Sequence, residues 1–261
     1  MRSLPIHWPA LPEGIGVLST VRSGGVSVPP YDDGAGGGGL NLGLHVGDLP
    51  AAVERNRGLL RSMLPAEPVW LNQVHGVEVI DAEAVLAAGA VPGATPGATP
   101  IADASIAGKP GVVCTIMTAD CMPVLLADRK ARVVGAAHAG WRGLAAGVIE
   151  ATVERMRAAG GDELVAWLGP GIGRARFEVG DEVLQAFARL GHEAETAFIG
   201  IEGKPGKYLA DLPRLARLAL STVGITDVAG GEHCTMSEPE NFYSFRRDRV
   251  TGRMATLIWI K

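Results

Sequence analysis

Three short runs in this 261-residue chain set metal-binding side chains beside small residues. They are Gln73-Val74-His75-Gly76, Ala119-Asp120-Cys121 and His138-Ala139-Gly140-Trp141-Arg142-Gly143. Two imidazoles and one thiolate make a set that suits zinc, and three protein ligands leave the open position that a catalytic zinc needs. Two apolar, strand-like stretches separate Cys121 from His138, a spacing that can bring the ends of the two segments together. No CxxC, HxxxH or HExxH spacing is present. A His or Cys in an apolar strand is also commonly core filler. The residues alone therefore admit two readings: a His75–Cys121–His138 metal site, or three unrelated side chains.

The flanking residues extend the first reading. After His138, a strand gives way to Gly140, Arg142 and Gly143 and then to a helical pattern. Free N–H groups at a helix start attract anions, glycines permit close approach, and Arg142 adds fixed charge. The competing account is a plain turn with a solvated arginine. Asp120 beside Cys121 is a candidate to accept a hydrogen bond from a ligating imidazole, or a simple strand-end cap. Near the C-terminus, Phe242-Tyr243-Ser244-Phe245-Arg246-Arg247-Asp248 offers rings for a planar base and Arg246 for an oxyanion. The same run is equally a strand end with a surface ion pair. Cys114 and Cys234 read as inert.

These residues need a scaffold. Val112–Thr118, Met122–Ala127, Val133–Ala137, Leu164–Leu168 and Met254–Ile260 are apolar runs typical of buried strands. Helices are expected over 49–64 with Asp48 as N-cap, 143–159 with Gly160 as C-cap, 181–190 and 212–223, the last two capped by Asp181 and Asp211. Gly34–Gly39 reads as a mobile loop, and the duplicated Pro-Gly-Ala-Thr of 92–99 as a flexible insertion. Strands outnumber helices without regular alternation, which favours a mixed α/β sandwich, a single domain over 1–261. Net charge is −4 with no Lys/Arg-rich run, which argues against nucleic acid as a partner. No apolar stretch reaches membrane-spanning length, and the Pro-interrupted N-terminus does not read as a signal peptide. Three cysteines argue against a disulfide framework, so a reducing cytoplasm is the expected compartment.

Taken together the runs resemble the YfiH-like family, described variously as laccase-domain polyphenol oxidases, purine nucleoside phosphorylases and peptidoglycan editing factors. The resemblance rests also on Asn41-Leu42-Gly43-Leu44-His45-Val46-Gly47-Asp48, on Thr118 through Leu126, and on Gly169-Pro170-Gly171-Ile172. It implies a catalytic zinc on His75, Cys121 and His138, and an α/β sandwich like that of the cytotoxic-necrotizing-factor type of cysteine hydrolase. It also implies phosphorolysis of adenosine, inosine, guanosine and methylthioadenosine, with adenosine deamination alongside. Arg142, Arg246 and Asp120 are then the candidates for substrate and phosphate, with Asp120 and Asp103 as nominees for a general acid. Ser23 stands where the family usually has His before Gly-Gly-Val-Ser, which removes any role for that imidazole and puts the role of Arg22 in question. The rival chemistries are a copper oxidase, for which adjacent Cys121 and Met122 are poorly placed as equatorial and axial ligands, and a cysteine or zinc amidase using Cys121 and His138 on peptidoglycan precursors. A metal-bearing interaction module is the non-enzymatic alternative.

Overall fold

In the strand Met122–Asp128, alternate side chains enter two different cores. Met122, Val124 and Leu126 pack on one side, and Leu125 and Ala127 on the other, all fully buried. Period-two alternation with both faces apolar is the signature of a sheet covered on both sides. The computed structural model of the chain, which describes residues 2–88 and 99–261, shows what covers them.

Two sheets lie face to face. One has four antiparallel strands in the order Ser3–Leu4, Ile15–Thr20, Met254–Ile260, Val113–Thr118. The other has six, in the order Val228–Gly230, Leu164–Leu168, Met122–Asp128, Val134–Ala139, Ala104–Ala107, Val79–Asp81. Its outermost pairs are parallel and its inner ones antiparallel. Cys114, Ile116, Leu125, Ala127, Val134 and Ile258 fill the space between the sheets. Helix Pro50–Arg61 covers the outer face of the four-stranded sheet through Leu60, with Leu18, Val113 and Leu257 below it. Helices Val148–Ala158 and Leu212–Thr222 cover the six-stranded sheet through Val153, Met156, Leu215 and Ala219. A small antiparallel sheet, Glu178–Gly180, Lys207–Ala210 and Phe198–Gly200, joins that outer layer. The result is the mixed α/β sandwich expected from the pattern. Among the described residues no helix is long and apolar enough to cross a membrane.

Several local expectations change. The helix expected over 143–159 is two helices, Trp141–Ala146 and Val148–Ala158, because Gly147 sits between them at φ 104 in the left-handed region. Gly160, at φ 93, follows the second helix as expected of a terminating glycine. Asp48 does not cap helix Pro50–Arg61, whose N-cap is Leu49. Its carboxylate instead accepts from Ser27 Oγ at 2.6 Å and Asn41 Nδ2 at 2.9 Å inside the protein. Asp181 is likewise not a cap, and its carboxylate accepts from the Tyr208 hydroxyl. Asp211 does cap, accepting from the Arg214 N–H at 3.0 Å.

The Gly34–Gly39 run is only partly a free loop. Asp33 Oδ1 accepts the N–H groups of Ala35 and Gly37, both at 2.8 Å. Gly39 packs so closely that a Cβ would fall 1.8 Å from the Tyr31 carbonyl. Arg22 is buried, donates to the Asp32 and Pro239 carbonyls and lies 5.0 Å over the Tyr243 ring, so it holds this region together. The insertion over 92–99 lies outside the described residues except for Thr99.

Candidate metal centre

The hairpin that joins Cys121 to His138 sets the geometry. Its register pairs Pro123 with His138 and Met122 with Ala139. Cys121, one residue before the first strand, therefore ends beside the last residues of the second. His138 shares the parity of Val134 and Ala136, which face the other sheet, so its imidazole leaves the strand on that inner face. His75 arrives from a separate turn, where its backbone takes the left-handed conformation at φ 63.

The three meet. One ligand atom from each of His75, Cys121 and His138 lies within 4.8 Å of the others. Cys121 Sγ is 3.6 Å from His75 Nε2, and the two imidazole centroids are 4.8 Å apart with the rings inclined at 63°. A thiolate sulfur and an imidazole nitrogen on one tetrahedral zinc stand about 3.6 Å apart, given its usual bond lengths. The donor set fits such an ion. His138 Nδ1 donates to Asp103 Oδ1 at 2.8 Å, which turns Nε2 toward the cluster. Met122, by contrast, packs into the helix-side core, off the face from which His138 projects.

The glycines of the His138–Gly143 run make room for the protein's own ligands. A Cβ on Gly140 would lie 2.8 Å from both Cys121 Sγ and His75 Cδ2. A Cβ on Gly143 would lie 2.9 Å from the Gly76 carbonyl. The turn that carries His75 thus packs directly against the start of the helix, where the sequence suggested an anion.

Electrostatics set Cys121 apart. Burial pushes its thiol up, but the facing His138 charge and the hydrogen bonds from His138 and His75 pull it further down, below the ordinary thiol range. Burial alone would lower His138, yet Cys121 and Asp103 hold it above the ordinary imidazole range. Each group thus favours the charged form of the other. Cys114 is the opposite case, its thiol pushed up to about 12 by burial. Brief iodoacetamide treatment of metal-free protein at neutral pH is expected to alkylate Cys121 at least tenfold faster than Cys114, since the thiolate is the nucleophile. Peptide mass mapping reads this directly, and equal labelling would refute the lowered Cys121 thiol.

A cavity of about 690 Å³ opens above the cluster. His75 and His138 form part of its floor, and Trp141, Leu44, Ile101 and Phe245 supply apolar wall. Arg57, Arg142 and Arg253 supply its charge, burial and the neighbouring Arg253 and Arg57 hold the His45 imidazole below its ordinary range, and no carboxylate lines the cavity among the described residues. Burial lowers the Arg57 guanidinium to about 10, partly offset by Glu67 and Glu54. Its Nε donates to the Leu42 carbonyl and its plane lies 3.9 Å over the Trp70 ring. Arg142 lies over Trp141 at 4.4 Å.

The other sequence candidates fall elsewhere. Arg246 donates to the Glu178 carbonyl, lies over Phe177 and is absent from the cavity lining. Asp120 serves no imidazole: its carboxylate accepts from the Thr235 hydroxyl and the Arg246 N–H, each at 2.6 Å. Its backbone is left-handed at φ 94, so it belongs to a turn and not a strand. Asp103 is fully buried and outside the lining, so it is not placed to meet a substrate as a general acid. Phe242 and Tyr243 are buried, which leaves Phe245 as the ring of that run facing the cavity. Sequence reasoning missed Arg57, Arg253 and the place of His45. Only His45 carried a signal, its position in the Asn41–Asp48 run.

The chain as a whole is similar to known proteins. A family model described as multi-copper polyphenol oxidoreductase laccase matches residues 16–261. A Pseudomonas aeruginosa protein named purine nucleoside phosphorylase is 50% identical over 254 residues, covering 97% of this chain and 96% of its own. The Escherichia coli purine nucleoside phosphorylase YfiH is 48% identical over 256 residues, 97% of each chain. A Neisseria meningitidis protein of known crystal structure superimposes with a TM-score of 0.87 at 45% identity, over the full length of both. A match that starts at the second strand and runs to the last residue, with relatives close to half identical end to end, makes the chain a member of this laccase-described, YfiH-like family.

Proposed function

We propose that the protein is a zinc-dependent purine nucleoside phosphorylase with adenosine deaminase side activity, acting on adenosine, inosine, guanosine and methylthioadenosine. One observation carries the reading: the two histidines of a His75–Cys121–His138 cluster floor a cavity whose charged lining, among the described residues, is cationic only. The names of the relatives point the same way. A zinc ion on His75, Cys121 and His138 would supply Lewis acidity and a water of lowered pKa. Copper is the other metal that this donor set admits.

The remaining chemistry belongs to the chain. Arg57 and Arg253, whose guanidinium groups are partly buried, and the exposed Arg142 attract and hold phosphate, because a guanidinium without a carboxylate partner gains from an anion. Trp141, Leu44 and Phe245 offer apolar surface to a purine, and their bulk keeps water from the glycosidic bond. Phosphorolysis asks the site to hold phosphate against the ribose carbon as positive charge develops there. Deamination asks only for a nucleophilic water near the purine carbon that bears the amine.

The test is phosphate dependence. Adenosine is expected to give adenine and ribose 1-phosphate only when phosphate is present. Arg57→Ala should raise the phosphate KM about tenfold or more, the loss of one charge-assisted contact, while deamination changes less. Arg142→Ala should show the same split. Free ribose as the sole sugar product would make the protein a hydrolase and defeat the proposal. A second reading draws on the Cys121–His138–Asp103 chain, which also has the order nucleophile, base and orienting carboxylate. That amidase reading predicts turnover of a peptidoglycan precursor that survives complete removal of metal.

A further inference from the structure

Asp103 stands at one of the few points in the fold that touch both imidazole-bearing segments. It immediately precedes the strand Ala104–Ala107, which pairs with the strand that carries His138. Its carbonyl accepts the His138 N–H at 2.7 Å, and its own N–H donates to the Glu78 carbonyl at 3.0 Å, just beyond the His75 turn. The carboxylate is fully buried and makes four contacts. Oδ1 accepts from the His75 N–H at 2.9 Å and from His138 Nδ1 at 2.8 Å. Oδ2 accepts from the Val74 N–H at 3.1 Å and the Gly76 N–H at 2.6 Å.

Four donors on two oxygens use the whole accepting capacity of an ionised carboxylate. Three consecutive N–H groups converging on one anion form a backbone nest. Such a nest stabilises the left-handed backbone that His75 adopts at φ 63, a conformation that crowds the Cβ of an L-residue against the following carbonyl. The same anion orients the His138 ring, because an Nδ1–H donating to Oδ1 turns Nε2 toward the cluster.

We propose that Asp103 is the positioning residue of this centre: one buried carboxylate clamps the turn presenting His75 and fixes the ring of His138, so that the ligand set is assembled before any metal arrives. The proposal rests on the reading of His75, Cys121 and His138 as metal ligands for its consequence, but the clamp itself is a property of the metal-free chain. An amide at position 103 has one accepting oxygen and a donating NH₂. Asp103→Asn therefore leaves buried donors unmet and turns an N–H toward them.

Two measurements on the full-length chain test this. In metal-free protein, hydrogen exchange at the amides of 74–76 should accelerate at least tenfold in Asp103→Asn. In the same variant zinc affinity, read by competition with a chromophoric chelator, should fall roughly 10–100-fold, and the cobalt(II) absorption bands of a tetrahedral thiolate site should weaken. Asp128→Asn is the control for general damage. Asp128 is equally buried, accepts from Arg132 and from the Asp162 and Glu163 N–H groups, and lies at the far end of its strand. It should lose stability while keeping zinc affinity and the exchange rates of 74–76. Unchanged exchange and unchanged affinity in folded Asp103→Asn would overturn the proposal. Should that variant not fold, nitrogen-15 NMR of the parent loaded with cadmium decides: a slowly exchanging Nδ1–H on His138 with metal on Nε2 supports the clamp, and metal on Nδ1 overturns it. A parent that binds neither zinc nor cobalt defeats the metal reading, and the exchange measurement then judges the clamp alone.

Discussion

Cys121→Ala is expected to reduce bound zinc from close to one ion per chain to about a tenth or less, and His138→Ala to do the same. Each removes one of three protein ligands, and the two that remain rarely retain a catalytic ion at micromolar free metal. The cysteine loss is the more severe, because the Cys121 thiolate is the one anionic donor in the cluster. Cys114→Ala and Cys234→Ala should keep the metal, since Cys114 lies between the sheets and Cys234 accepts the Gly173 N–H outside the cluster. Atomic absorption on dialysed protein reads all four. Full retention in both Cys121→Ala and His138→Ala would remove the metal centre from consideration. Nucleoside cleavage should fall with the metal content.

The second large effect comes from one methyl group. Gly140→Ala places a carbon 2.8 Å from Cys121 Sγ and from His75 Cδ2, so sulfur and ring must both move. Overpacking of this kind costs about 1–3 kcal/mol in stability. The cost to metal binding should be greater in effect, because both displaced groups belong to the ligand set. We expect Gly140→Ala to fold, to unfold at a lower temperature, and to bind at least tenfold less zinc under limiting metal. Gly58→Ala is the counterpart. It lies within helix Pro50–Arg61 with nothing within 4 Å of its Cβ position, and should stabilise the chain by about 0.5–1 kcal/mol. Zinc binding equal to the parent in Gly140→Ala would show that the cluster tolerates rearrangement.

The parts of this centre that local pattern could announce were legible, and the parts assembled by tertiary contact were not. Cys121 and His138 flank two apolar strands, so their meeting followed from hairpin register, which the structure sets as Pro123 opposite His138. The layers of the sandwich were foreshadowed by runs such as Met122–Ala127, apolar at every position because both faces are covered. Arg57 and Arg253 gave no warning. Arg57 is one of several charged residues on an amphipathic helix, and such a residue ordinarily meets solvent. It reaches the cavity because Leu42 accepts from its Nε and Trp70 supports its plane. Arg253 is placed by the Asn41 side chain, more than two hundred residues away in sequence. Asp103 was visible only as an acidic residue near a strand, since its four donors come from segments about 30 residues away. The split at Gly147 was open to reading, because a glycine inside a helical pattern is a weak point. Asp48 and Asp181 misled because an aspartate before a helix can be recruited by a stronger buried or cross-strand partner.

The three ligands of the cluster come from three separate segments: a turn before one strand, a bend before another, and the end of a third. His75 and Cys121 are 46 positions apart in sequence. An ion shared among them is a reversible cross-link, and it closes loops that an unfolded chain would leave open. Such a link acts on the folding equilibrium by mass action, adding RT ln(1 + [metal]/Kd) to the stability of the native state. With an ion bound there, the melting temperature of this protein would become a gauge of the free metal around it. A cell short of that metal would hold not only less active protein but protein more readily unfolded and degraded.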